Sequence, residues 1–189
     1  MAMATEIAQT QRRQFTVEEY NRMAEVGILT ERERVELIDG EILVMSPIGF
    51  RHTYCVARLN EMLVLRVGAR ALVWGQGAVR TGSRSKPQPD LALLERRSYL
   101  TGDPTEAQAL LVIEVADSSL SYDRTIKRRL YARAGIPEVW IVDVNGEAVE
   151  VSRHPEGAGY RDFLRVPRGG TIAPAAFPDA TIGVDEIFS

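Results

Sequence analysis

Two charged side chains occupy positions where an apolar residue would cost less. Glu114 sits inside the run Leu110-Leu-Val-Ile-Glu-Val115, and Lys127 sits inside the apolar stripe of the helical pattern that follows. Asp90, directly after Pro89, is a third candidate at the start of another apolar run. Carboxylates from two neighbouring strands suit a hard cation such as Mg²⁺, which keeps several of its waters. A lysine beside them would hold or activate a water and offset charge in a transition state. Two carboxylates, one cation and one lysine together make a site for phosphodiester hydrolysis.

The periodicities say how these groups are presented. Alternate side chains of a strand point to opposite faces, so Leu110, Val112 and Glu114 share one face and Leu111, Ile113 and Val115 the other. Both faces are apolar, as in a central strand covered on each side. A carboxylate there needs a cation or a proton, unless Glu114 lies at a strand end and pairs with a surface arginine. For the helix, at about 100° per residue with Ile126 at zero, Leu130 falls near 40°, Asp123 near 60°, Lys127 near 100° and Tyr131 near 140°. Lys127 is therefore either a snorkelling stem or a side chain directed at the Glu114 site. Asp123 is placed to cap the helix or to orient Lys127.

Other charged residues carry weaker signals. Glu36 lies on a hairpin strand and is either an auxiliary acid or a solvent-facing residue. Arg80, Arg84 and Lys86 form a basic loop before Asp90, either a phosphate-contacting edge or a solvated loop. His52 reads as a helix-start residue and His154 as a loop residue. Trp74 and Trp140 lie in apolar strands and read as core.

The elements that must position these groups follow in order. Thr16-Val-Glu-Glu19 has capping-box spacing for a short helix ending near Gly27. Residues 34–39 and 41–46 are strand-like runs joined by Asp39-Gly40, a tight hairpin signal. Val56, Leu59, Leu63 and Val67 recur at helical steps over residues 51–67, closed by Gly68. Short strands are expected at 71–74, 78–81, 88–94, 110–115 and 138–143, and a second hairpin through Asn145-Gly146 leads into 147–152 and then 160–166. Residues 1–14 are polar and aperiodic, an N-terminal tail before one domain over 15–189.

Composition sets the bounds. The chain has 189 residues, 45% hydrophobic and 26% charged, the make-up of one soluble α/β or α+β domain with a real core. A net charge of -3 supplies no global attraction to phosphate, so nucleic-acid binding would need a local patch of arginine and lysine. One cysteine, Cys55, excludes an internal disulfide and a cysteine zinc site, and two histidines argue against a histidine-rich metal centre. No apolar run reaches the ~18 residues of a membrane span, and the polar start points to the cytoplasm.

The chain resembles the Uma2 family of restriction-endonuclease-like proteins. The resemblance runs from about Phe15 to Phe188 and is most specific in the segment from Glu114 to Lys127, with Leu130-Tyr-Ala, Gly135-Ile-Pro-Glu, Trp140-Ile-Val-Asp143, Val35-Glu-Leu-Ile-Asp-Gly-Glu41 and Gln88-Pro-Asp90 in support. It implies the PD-(D/E)xK nuclease superfamily fold, a mixed central sheet flanked by helices, here with additional β-hairpins. It also implies Asp90 and Glu114 as metal ligands, with the Val115 carbonyl as a further one. The superfamily's usual lysine two residues past the acid is replaced by Ala116, and Lys127 matches the position to which Uma2-like sequences move it. The expectation is a Mg²⁺-dependent endonuclease, with Mn²⁺ as a substitute, acting on DNA as a homodimer, with Asp90, Glu114, Lys127 and Glu36 catalytic. The alternative is a non-catalytic module that keeps the fold and binds nucleic acid or a protein.

Overall fold

The computed structural model describes residues 12–30 and 32–189. The expected tail over residues 1–14 lies mostly outside the described residues.

Helix α1 (Val17–Glu25) starts as its capping box requires: Glu19 donates its amide to the Thr16 hydroxyl, and the Glu19 carboxylate accepts from the Thr16 amide. Strands β1 (Val35–Ile38) and β2 (Glu41–Val44) form the expected hairpin, with Asp39 and Gly40 both at positive φ. Helix α2 (Phe50–Val67) buries Cys55, Leu59, Met62, Leu63 and Val67 along one stripe.

The central sheet has six strands: β3 (Ala71–Gly75), β4 (Leu91–Glu95), β5 (Ala109–Ala116), β6 (Glu138–Asp143), β7 (Ala148–Glu156) and β8 (Gly159–Pro167), paired in that order. Only β5 and β6 run parallel. A parallel pair needs a crossover, and the crossover here is helical: α3 (Leu120–Tyr122), a π-helical turn (Asp123–Lys127) and α4 (Arg128–Arg133). Short strands β9 (Thr171–Ile172) and β10 (Ile182–Gly183) and helix α5 (Val184–Phe188) close the chain.

The strand expected at 78–81 does not form. Val79 and Thr81 are buried, but the segment makes only an isolated bridge between Arg80 and Thr105, and no neighbouring strand offers it a ladder.

The sheet is covered on both faces, as the doubly apolar pattern of β5 requires. Leu111, Ile113 and Val115 pack with Leu59 and Leu63 of α2 and with α5. Val112 and Ala116 pack with Tyr131 and Ile136 from the crossover. Glu114 lies on the strand between Val112 and Ala116 and so belongs to the crossover side.

Candidate active site

Register brings Asp90 to Glu114. In the antiparallel β4–β5 pair Leu91 stands opposite Ile113, so the next step outward places Asp90 beside Glu114. The Val115 amide donates to Asp90 Oδ2 at 2.8 Å and ties the aspartate to the rim of β5.

Lys127 arrives from above. The Arg128 amide bonds to the Asp123 carbonyl, five residues back, which marks one widened π turn in an otherwise α-helical crossover. Such bulges often occur at functional sites because one extra residue re-aims the side chains after it. Asp123, Lys127, Leu130 and Tyr131 are buried, whereas Ile126 is 42% exposed. Ile126, expected in the apolar arc, is thus at its outer edge, and the buried face is centred on the lysine.

Glu36 completes the cluster from the first hairpin. A bridge between Leu37 and Lys86 lays β1 along the segment that leads into β4, and the Gln88 amide donates to Glu36 Oε2 at 3.2 Å. Lys127 Nζ stands 3.2 Å from Glu36 Oε2 and 3.1 Å from Glu114 Oε1. The Tyr131 hydroxyl donates to Glu114 Oε1 at 2.5 Å, and the Tyr122 hydroxyl donates to Glu36 Oε1 at 3.3 Å. Glu36, Glu114, Asp123 and Lys127 are all at most 4% exposed. The snorkelling alternative for Lys127, the surface-arginine alternative for Glu114 and the solvent-facing alternative for Glu36 do not describe these side chains.

The cluster forms the floor of a cleft of about 620 Å³. Five acids line it, Glu36, Asp90, Glu114, Asp117 and Asp123, against the two cations Arg34 and Lys127. Burial raises the Glu114 carboxyl well above the usual carboxylate range; Lys127 opposes the shift, but Asp123, Asp90 and Glu36 add to it. Burial also raises Asp123, against the Ser119 hydroxyl that donates to it at 2.6 Å. Burial alone would lower Lys127, yet Glu114, Glu36 and Asp123 outweigh it and hold the ammonium above its ordinary range. Burial is the main cause of both acid shifts, while the neighbouring carboxylates add to the Glu114 shift and keep the ammonium charged.

Among the described residues no three His, Cys, Asp or Glu side chains form a metal-holding group. Mg²⁺, however, is commonly held by one or two carboxylates with waters completing its octahedron. Lys127 and Tyr131 both engage Oε1 of Glu114, which leaves Oε2 as the oxygen for a further ligand beside Asp90. Two carboxylates in an acidic cleft fit that cation.

Sequence reasoning missed His52. Its Nε2 lies 3.0 Å from Asp90 Oδ1, and its Nδ1 is buried with no partner. Nothing in the local sequence connects residue 52 to residue 90; the only hint was its place in the first turn of α2. Tyr131 was more accessible to inference, standing four residues after Lys127 on the same buried stripe. The basic loop has other duties: Arg80 pairs with Glu18 at 2.7 Å, Lys86 with Asp103 at 2.6 Å, and Arg84 bonds Gln14 at 2.6 Å. None of the three lines the cleft.

A family model described as "Uma2: Putative restriction endonuclease" matches residues 17–185. The chain belongs to the Uma2 family. Among solved structures, this Uma2 chain is similar to one described as a "putative nuclease belonging to DUF820" from Anabaena variabilis, with a TM-score of 0.72 and 14% identity over 92% of this chain and 97% of that one. At that identity the likeness concerns the fold, a mixed six-stranded sheet flanked by helices. No curated protein matches the chain. No helix among the described residues is long and apolar enough to cross a membrane.

Proposed function

We propose that this Uma2 protein is a Mg²⁺-dependent endonuclease that hydrolyses phosphodiester bonds in DNA, with Mn²⁺ as a working substitute, acting in the cytoplasm as a homodimer that can address both strands. The observation that carries this reading is a cleft with five carboxylates whose buried lysine is held between two of them. An unmodified acidic cleft repels a phosphodiester, so a cation is what would make it a nucleic-acid site.

Asp90 and Glu114 are the residues that would hold the cation, with the Val115 carbonyl as a third oxygen. When bound, the cation polarises the scissile phosphate and lowers the pKa of a bound water. Lys127 contributes as a fixed ammonium. Because its carboxylate neighbours keep it protonated, it would orient the attacking water and offset charge on the phosphoryl oxygens; as the new P–O bond forms and the bond to the leaving oxygen breaks, the water's proton would pass to solvent or to a phosphate oxygen and not to the lysine. Glu36 orients the ammonium from the hairpin side, and Asp123 adds to the field that keeps it charged.

The decisive experiment incubates supercoiled and linear DNA with the purified protein and Mg²⁺, Mn²⁺ or EDTA, beside Asp90→Ala, Glu114→Gln and Lys127→Met. Metal-dependent cleavage lost in all three variants is expected. Absence of cleavage by the wild type together with absence of Mn²⁺ binding in calorimetry would refute it. A second reading has its own support, since Ala116 replaces the usual lysine and the Glu36–Lys127–Glu114 triad is closed on itself. On that reading the protein is a non-catalytic module, and salt-dependent DNA binding without metal-dependent cleavage would select it.

A further inference from the structure

A second groove, of about 450 Å³, lies on the other side of the crossover helix. Its charge is opposite to that of the catalytic cleft. Arg124, Arg128 and Arg129 line it and no carboxylate does, on a chain whose net charge is -3. Thr125 lines both cavities, so the two adjoin across one residue of the π turn.

The floor is built by β7 and β8. Ser152 stands opposite Phe163 in their register, and both face the groove. The Phe163 ring is 55% exposed, an unusual position for a phenylalanine on a strand, and the Arg128 guanidinium lies over it at 5.5 Å from the ring centre. Tyr160 presents its ring to the same groove while its hydroxyl donates to the Ile136 carbonyl at 2.8 Å.

The arginines differ in how free they are. Arg124 is committed to the buried Glu150, which its Nε reaches at 3.1 Å on both oxygens. That pairing consumes the carboxylate, and Arg128 approaches Glu150 no closer than 3.9 Å. Arg129 is exposed. Two guanidinium groups with charge to spare, one of them lying over a half-exposed aromatic ring, match a ligand that carries both a phosphate and a planar base: guanidinium groups fork onto phosphate, and aromatic rings and arginine planes stack bases that are not already stacked in a duplex.

We propose that this groove holds an unpaired nucleotide of the DNA strand leaving the acidic cleft, its phosphate at Arg128 and Arg129 and its base against Phe163. The assignment rests on the nuclease reading for the identity of the strand, and it gives the protein a preference for DNA with a single-stranded or frayed segment next to the cut. Thr125, which lines both cavities, sets the groove directly beside the cleft.

The test uses the full-length protein in EDTA, so that binding is read without cleavage. Fluorescence anisotropy compares a labelled single-stranded DNA with a blunt duplex of the same sequence, for wild type, Phe163→Ala, Phe163→Leu, Arg128→Ala and Arg129→Ala, with thermal melting run alongside. Phe163→Ala and Arg128→Ala should each weaken single-strand binding about tenfold, Phe163→Leu nearly as much because it keeps bulk but loses the stacking face, and the duplex should be affected less. Arg129→Ala should reduce the slope of log affinity against log salt by about one. Single-strand affinities within twofold of wild type for the Phe163 and Arg128 variants, or equal losses for both DNA forms, would overturn the assignment. The two proposals fail separately: cleavage by a wild type whose groove variants bind unchanged removes only this one, and groove-dependent binding without cleavage under any metal removes only the nuclease.

Discussion

Replacing Lys127 with methionine tests the site most directly, because the side chain keeps its shape and loses only its charge. The ammonium lies 3.1 and 3.2 Å from two buried carboxylates. At an effective dielectric of about 20, each contact is a gross attraction of about 5 kcal/mol, against a desolvation penalty of several kcal/mol for the buried ion. Removing one partner of such a cluster typically costs about 3–5 kcal/mol, because the groups left behind are buried and unpaired. Here two carboxylates would remain, at 3% exposure each, with Asp123 beside them. Lys127→Met should therefore lower unfolding stability by about 3–5 kcal/mol in EDTA, a large part of the 5–15 kcal/mol typical of a domain. Urea unfolding followed by far-UV circular dichroism measures it. The combined Glu36→Gln, Glu114→Gln, Lys127→Met variant should recover most of the loss, since neutral groups of the same shape leave no orphaned charge. A Lys127→Met protein within about 1 kcal/mol of wild type would refute the premise that the lysine is a buried counter-ion, as would a triple variant no more stable than the single one.

Glu114→Gln should raise the urea midpoint at neutral pH while abolishing cleavage, because burial disfavours the ionised carboxyl more than Lys127 favours it. The sign follows from the raised folded-state pKa: the wild-type carboxyl favours folding below its unfolded pKa and loses that contribution as pH rises through the folded value. The variant's advantage should accordingly shrink as the pH is lowered, and an advantage that grows on acidification would contradict it. His52→Ala should weaken Mn²⁺ binding about 10–100-fold in calorimetry, as loss of an orienting partner of a metal carboxylate commonly does, and unchanged affinity would remove His52 from the site. Tyr131→Phe should cost about 1–3 kcal/mol in the same urea assay, the range for leaving a buried acceptor without its donor; no change would mean that the Glu114 contact contributes nothing in solution.

Much of this architecture follows from local chemistry. The capping box starts α1 where Thr16 stands, Asp39-Gly40 turns the first hairpin, and the doubly apolar run at β5 implies a strand covered on both faces. Each depends on groups within a few residues of one another, which is why periodicity and turn chemistry reach them. The run at 78–81 had the same apolar signal and formed no strand, since a strand exists only where a neighbour offers a ladder.

The site divides in the same way. That Glu114 and Lys127 are out of place among apolar neighbours is a property of the sequence alone, and it holds whatever the fold, because burying a charge is costly anywhere. Which groups relieve that cost is set by the tertiary structure. Residues 36, 52, 90, 114 and 127 meet only because antiparallel register sets Asp90 beside Glu114, a hairpin lies along the segment before β4, and α2 delivers His52 to Asp90. The π turn that aims Lys127 downward, and the groove of arginines it turns to the other side, likewise depend on packing across the sheet, where no sequence spacing records the distance.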